Sequence, residues 1–505
     1  VTATTEYEGT FCLVLHSHLP WLAHQGSWPV GEEWLYQAWA HSYLPVVDLL
    51  RRFAAEGKRD VLTLGVTPVL AAQLDDPYSL RTFHEWLGHW QLRAQHAASL
   101  WRGDALLSEL AAEQYRTACA ATEEFETLWS HGFSPLLRSL VDSKVVELLG
   151  GPLTHPFQPL LDERVRSFAL RGGLADTALR IGTRPAGIWA PECGYAPGME
   201  DGYAADGVER FLVDGPSLRG DTSAARTVGS SDVVCFGRDL EVTYRVWSPK
   251  SGYPGHSSYR DFHTWAHEVG LKPSRVTGKH VAPADKAPYD PALAADTLRL
   301  HVKDFVDTVL SRLRELRQRH GRPSLVVAAY DTELFGHWWH EGPAWLEGVL
   351  RALPEAGVRV TTLAGALEAG HLGGPVELPA SSWGSGKDWR VWDGEQVSDM
   401  VAANTALQQR LLTLRPRGTV RDPAADQAVT EALLALSSDW AFMVTKDSAA
   451  DYARGRARAH TERFDELARL LNSAAPDAAA RAATLRAQDN PFGQLDARDL
   501  LSGDR

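Results

Sequence analysis

Gly187-Ile188-Trp189-Ala190-Pro191-Glu192 and Leu325-Val326-Val327-Ala328-Ala329-Tyr330-Asp331 each run an apolar stretch into one carboxylate. Short unbroken apolar runs of this kind read as strands buried on both faces, as in a parallel sheet covered by helices. Each acid therefore falls at the C-terminal end of a strand. In β/α barrels that rim carries the chemistry. Two acids on one rim is the layout that retaining glycosidases and glycosyltransferases use.

Similar runs lie on either side of these two. Thr10–His16, Val61–Val66, Lys144–Gly150, Arg210–Asp214 and Val358–Leu363 bring the expected strands to seven. Helical patterns separate them, and strand–helix alternation implies a parallel sheet. The clearest helix has Leu298, Val302, Phe305, Val309, Leu313 and Leu316 on one face and stops at Gly321 and Pro323. Periodicity alone does not separate a closed barrel from an open doubly wound sheet. Two insertions break the repeat. Residues from about 68 to 143 read as mostly helical, and about 215 to 297 as a long loop region. Within the latter, Val233–Phe236 and Val242–Trp247 suggest a hairpin. Beyond about residue 375 the alternation ends, and Val397–Leu414, Ala424–Ser437 and Ala449–Leu471 read as helices of a C-terminal region, 376–505.

With 505 residues, 44% hydrophobic and 23% charged, the chain can bury a large core. A net charge of −13 without a Lys/Arg block argues against nucleic acid and anionic membranes as partners. No apolar run has membrane-spanning length. The four cysteines are dispersed, and no signal-peptide pattern is visible, so the expected compartment is the cytoplasm. The 18 tryptophans are many, and several flank the acids and histidines. Some fill the core; as a group they suit the flat faces of sugars.

His16 and His18 close the first strand, and His155 follows the third. All three fall on the rim with Glu192 and Asp331. Two chemistries fit. The imidazoles could hydrogen-bond sugar hydroxyls and hold the nucleophile's charge in place. Alternatively, His-x-His with His155 and Asp331 could bind a divalent metal that activates water, as in metal-dependent barrel hydrolases. Glu333 and Glu341 stand near Asp331, with Glu333 a candidate orienting group.

The blocks His16-Ser17-His18-Leu19-Pro20, Gly151 to Pro156, Trp189-Ala190-Pro191-Glu192 and Tyr330-Asp331-Thr332-Glu333-Leu334-Phe335-Gly336-His337-Trp338-Trp339 resemble glycoside hydrolase family 57. The resemblance implies an incomplete (β/α)7 barrel with a helical insertion and a C-terminal α-helical domain. It implies Glu192 as nucleophile, Asp331 as acid/base, retention of configuration, and neither cofactor nor metal. His16, His18 and His155 become substrate ligands. Within the family the branching-enzyme subgroup is most alike. Ser382-Trp383-Gly384 through Trp389 and Trp392 resembles its fifth block, and Ser437-Ser438-Asp439-Trp440-Ala441-Phe442 its helical C-terminal region. Gly252-Tyr253-Pro254-Gly255 resembles its active-site loop, with Tyr253 at the tip. The resemblance adds Trp189, Trp265, His337, Trp338, Trp383 and Trp392 as expected substrate contacts. It implies an α-1,4-glucan such as amylose or a glycogen-like polysaccharide as substrate, and leaves open 4-α-glucanotransferase or α-amylase action. It does not address the oligomeric state. Met400 stands where the subgroup favours Trp, which bears on chain-length preference.

Overall fold

A computed structural model describes residues 7–28, 30–248, 250–415 and 420–501. Strand β1, Gly9–Ser17, is buried along its whole length, as its apolar composition requires. β2 (Leu62–Val66), β3 (Val146–Gly150), β4 (Gly187–Ile188) and β5 (Arg210–Asp214) follow it in parallel order. β6 (Ala225–Val228) and β7 (Val234–Arg238) come next. β7 is parallel to β5 and antiparallel to β6. β8 (Leu325–Asp331) pairs with the free edge of β1, setting Asp331 beside His16. On its other side the Asp239 N–H at the end of β7 donates to the Val327 carbonyl, 2.8 Å. The sheet thus curls through β1, β2, β3, β4, β5, β7 and β8 until its ends touch. β9 (Val358–Val360) pairs only with the first residues of β1, and β10 (Leu372–Val376) lies outside β6.

Seven strands surround the core, yet their membership differs from the sequence reading. Of the expected strand Val358–Leu363 only Val358–Val360 forms, as an outlying strand rather than a barrel stave, and Leu363 begins a helix. β7 takes that place, because it continues β5 along five register pairs. The expected Val233–Phe236/Val242–Trp247 hairpin is also corrected. Leu240–Val246 is a helix, started by the Asp239 side chain accepting from the Val242 N–H. β7 finds its antiparallel partner upstream, in β6.

The helix with the regular apolar face spans Pro291–His320. Asp290 caps it, Gly321 ends it in the left-handed conformation, and Phe305, Val309, Leu313 and Leu316 are fully buried. The first insertion is helical as expected, with Pro77–Leu100 and Ala105–Glu124 lying against each other. In the C-terminal region Pro423–Ala435, Ser438–Lys446 and Ala450–Asn472 pack together. Their core is continuous with barrel residues: Trp21, Ala23, Leu153 and Phe168 share one cluster with Ala428, Leu433 and Phe464. Beside it His460 is fully buried, with Nδ1 2.7 Å from Glu431 and Nε2 3.0 Å from Arg456. Among the described residues no helix is long and apolar enough to cross a membrane.

Candidate active site

Glu192 does not end its strand passively. Its backbone sits at φ 62°, with Cys193 at 49° and His155 at 57°. Non-glycine residues in this region are strained and persist only where surroundings hold them. Trp383 holds Glu192 at two points. Its backbone N–H donates to the Glu192 carbonyl (2.9 Å), and its indole N–H to Oε2 (2.8 Å). Ser438 Oγ, from the first turn of a C-terminal helix, donates to Oε1 at 2.7 Å.

The histidines continue from that serine. His155 Nδ1 is 2.9 Å from Ser438 Oγ, and its Nε2 is 3.1 Å from His16 Nε2. Burial, reinforced by the charges of neighbouring histidines, keeps His16 and His155 well below the usual imidazole range, so both are neutral at neutral pH. One assignment of protons then satisfies every contact. The His16 Nε2–H donates to His155 Nε2, the His155 Nδ1–H to Ser438, and the serine hydroxyl to Glu192. His16 Nδ1 is left as an unpartnered acceptor. His18 is fixed separately, by Thr67 Oγ1 at Nδ1 (2.9 Å) and by Asp439 at Nε2 (2.8 Å). Glu333 accepts from the His18 backbone N–H (3.0 Å) and the Tyr43 hydroxyl (2.6 Å).

Burial pushes both carboxyls up towards neutrality, and their remaining surroundings differ. Burial first, then the charge of Asp439, pushes Glu192 up to about 7 against its two donors. Burial first, then the charge of Glu192, pushes Asp331 up to about 7, opposed by Arg238 and His18. Among the described residues no side chain or backbone N–H donates to the Asp331 carboxyl. The donors on Glu192 favour its ionised form; the neighbouring charge favours the protonated form of Asp331. Asp439 itself is drawn down to about 2: burial raises it, and His18, His155 and the Ser437 hydroxyl together outweigh that. Arg238 lies 5.1 Å over the Trp383 ring and is paired with Asp214 (2.8 Å), which also takes Lys387 (2.6 Å).

His18, His155 and Asp439 each bring a donor atom within 4.8 Å of the others, as do Glu431, His460 and Asp489 deep in the helical region. In the first set the His18 and His155 rings stack, with centroids 3.8 Å apart and planes 17° from parallel. A metal lies in the plane of each imidazole that binds it. Rings stacked this way offer no common in-plane position. For His18, His155 and Asp439 that geometry favours hydrogen bonding over a shared ion.

The aromatic expectations divide. Trp189 stacks on His16 (4.4 Å, 13°) and meets the edge of Trp383 (4.9 Å), so both adjoin Glu192. Trp392 is buried, stacked on Phe157 (4.8 Å), and lines a gap of about 30 Å³ with Met400 and Ser438. Trp265, His337 and Trp338 line a different cavity of about 240 Å³, which shares no lining residue with the catalytic cluster. Chemistry rather than room therefore locates the active site. Tyr253 is no exposed loop tip. It is buried, stacked on His301 (4.3 Å), and its hydroxyl donates to Asp304. It anchors the loop, and the half-exposed Trp247, 5.8 Å from Trp338, is the aromatic turned outward. Ser438, Asp439, Thr67, Tyr43 and Arg238 were not singled out by sequence as site residues. The one local signal was the polar Ser437-Ser438-Asp439 between apolar Leu436 and Trp440.

The glycosyl hydrolase family 57 model matches residues 12–371, and the 1,4-alpha-glucan branching enzyme C-terminal model residues 399–500. A probable 1,4-alpha-glucan branching enzyme of Mycobacterium tuberculosis is 55% identical, covering 99% of each chain. The crystal structure of a family 57 branching enzyme from Thermococcus kodakaraensis superposes with a TM-score of 0.92 at 29% identity, covering 98% of this chain and 97% of that one. That of an alpha-amylase from Thermotoga maritima gives 0.84 at 25% identity, covering 97% and 99%.

Proposed function

We infer the activity from the premise that this chain belongs to glycosyl hydrolase family 57: it is a 1,4-α-glucan branching enzyme. It cleaves an α-1,4 link and transfers the released chain to a 6-hydroxyl, forming an α-1,6 branch. Glu192 attacks the anomeric carbon while Asp331 protonates the departing oxygen. A covalent glycosyl-enzyme results. Asp331, now ionised, takes the proton of the acceptor's 6-hydroxyl as that oxygen displaces Glu192, and the configuration is retained.

The observation that carries this reading is the unequal treatment of two neighbouring acids. Both titrate at about 7, but only Glu192 receives two donors, Ser438 and Trp383. That pairing supports an ionised nucleophile beside a protonated acid, as the first step needs. The neutral chain from His16 through His155 keeps Ser438 aimed at the nucleophile. Transfer must outrun hydrolysis, so water has to be held off the intermediate. The contributions of Trp383 and the C-terminal Ser438 to the walls around Glu192 support that requirement.

The fold likeness to an α-amylase favours one second reading, the same double displacement with water as acceptor. Incubating the protein with amylose, debranching the product and sizing the released chains separates the two. Branching yields new α-1,6 links and short chains released only on debranching. Linear products and reducing ends alone would establish hydrolysis instead.

A further inference from the structure

Buried cations in this chain are generally paired: Arg238 with Asp214, Arg312 with Asp239, Arg180 with Asp176. Buried Arg260 and half-buried Arg93 and Lys272 are exceptions. They line the cavity of about 240 Å³ between the helix Pro77–Leu100, the loop after Trp247 and the turn after β8. Among the described residues none of the three forms an ion pair. The Lys272 ammonium rests instead on the rings of Phe262 (3.7 Å) and Trp265 (4.6 Å). Arg260 spends its Nε–H on the Lys272 carbonyl, 2.8 Å. Arg93 Nε is buried without any hydrogen-bond partner, and so is Nδ1 of His337 in the same lining.

The acids facing the cavity are already engaged. Glu33 accepts from the Trp86 indole and from Gln37, each at 2.9 Å. Asp261 is paired with Lys286 (2.9 Å) and accepts from the Thr264 N–H (2.8 Å). Glu341 stands outside the lining; its Oε1 accepts from the Arg260 backbone N–H (3.1 Å), and its Oε2 is buried without a hydrogen-bond partner. Leaving cations and donors buried without acceptors costs stability, in a protein whose net charge is −13. A bound anion removes that cost. The remaining walls include Trp28, Trp265 and Trp338. Aromatic walls with a few convergent polar groups are typical of small-molecule sites. The space is below the roughly 300–1,000 Å³ of pockets for drug-sized ligands, and so suits one sugar residue rather than a chain.

We propose that this cavity binds an anionic sugar, a single hexose residue carrying a phosphate or a carboxylate. The aromatic walls take the ring, and Arg93, Arg260 and Lys272 take the charge. Guanidinium forks match both anions, and three cations favour the more highly charged phosphate. The site is separate from the catalytic cluster and goes beyond the reaction assigned above without depending on it. Burial first, then the charge of Arg260, holds Lys272 down at about 7 in the ligand-free protein. An anion reverses that, so binding near pH 7 takes up protons.

Titration calorimetry on the full chain tests this without turnover, and so independently of branching. The probes are glucose 6-phosphate, glucuronate, glucose and inorganic phosphate. An anionic hexose is expected to bind at least tenfold more tightly than glucose or inorganic phosphate. Its heat should vary with buffer ionisation in the sense of proton uptake. Lys272→Gln and Arg93→Gln should each weaken it tenfold or more, with unfolding midpoints checked to show that both variants fold. Preference between glucose 6-phosphate and glucuronate assigns the anion. Equal binding of glucose marks a neutral-sugar site and overturns the proposal. Equal binding of inorganic phosphate removes the sugar from it. No binding by any probe, or binding indifferent to both substitutions in folded protein, also overturns it.

Discussion

At the scale of single residues, the enzyme solves one problem with unequal hydrogen bonding. On the mechanism proposed above, two acids that burial pushes up to about 7 hold one proton between them, on Asp331 and not on Glu192. Glu192→Gln removes the proposed nucleophile while keeping an acceptor for Ser438, although the Trp383 contact depends on how the amide turns. Transfer and hydrolysis on amylose should both vanish while the unfolding midpoint holds; near-normal turnover would refute the assignment. The rate should peak near neutrality. It falls on the acid side as Glu192 gains a proton and on the alkaline side as Asp331 loses one. Ser438→Ala removes a bond that lowers the Glu192 pKa, so the acid limb should move to higher pH. A hydrogen bond to a charged group is worth about 1.5–3 kcal/mol, roughly a 10- to 100-fold loss of rate on that limb. Asp439→Asn removes a charge that raises Glu192 and should move the same limb the other way. Opposite displacements in kcat/KM profiles are the signature. Parallel losses without a shift would mean that both residues only hold the fold.

At the scale of elements, the chemistry hangs on turns at strand ends. Gly336 follows β8 at φ +108°, and a Cβ there would lie 1.7 Å from the His41 carbonyl oxygen. Gly336→Ala must therefore displace backbone as well as strain it. Gly198, at φ +92° with nothing near its missing Cβ, meets only the conformational cost, about 1–3 kcal/mol. Thermal unfolding of the two variants should rank Gly336→Ala clearly below Gly198→Ala; equal midpoints would show that the turn yields. The same turn carries His337 and Trp338 away from Asp331 into the separate cavity, which is why neighbours in one motif serve different places.

At the scale of the molecule, barrel and C-terminal helices share a core. Trp21 packs among the helices and donates its indole N–H to Asp489 (3.1 Å). Ser438 reaches Glu192 only while the helices stay seated. Loss of activity and loss of tryptophan fluorescence on heating should therefore coincide. Trp21→Ala, costing about 3–5 kcal/mol as a large buried truncation, should lower both together. Fluorescence that outlasts activity by many degrees would show the two parts unfolding separately.

The amino-acid order alone determined the parallel strands, the rim and the two acids on it, while the curl of the sheet and its antiparallel β6 came from the tertiary structure. The strands, rim and acids are local features: an apolar run makes a buried strand, and the residue ending it must stand at its C-terminal end. Even there, β7 was given the wrong antiparallel partner, the segment after it instead of β6, because a five-residue strand carries no mark of its partner. Only the tertiary structure decided what surrounds the acids. Ser438 meets Glu192 across 246 residues, and Asp439 meets His18 across 421. It also set Tyr253 in the core and gathered three cations into one cavity. Hydrogen bonds and desolvation depend on which surfaces meet, and chain neighbours do not specify that.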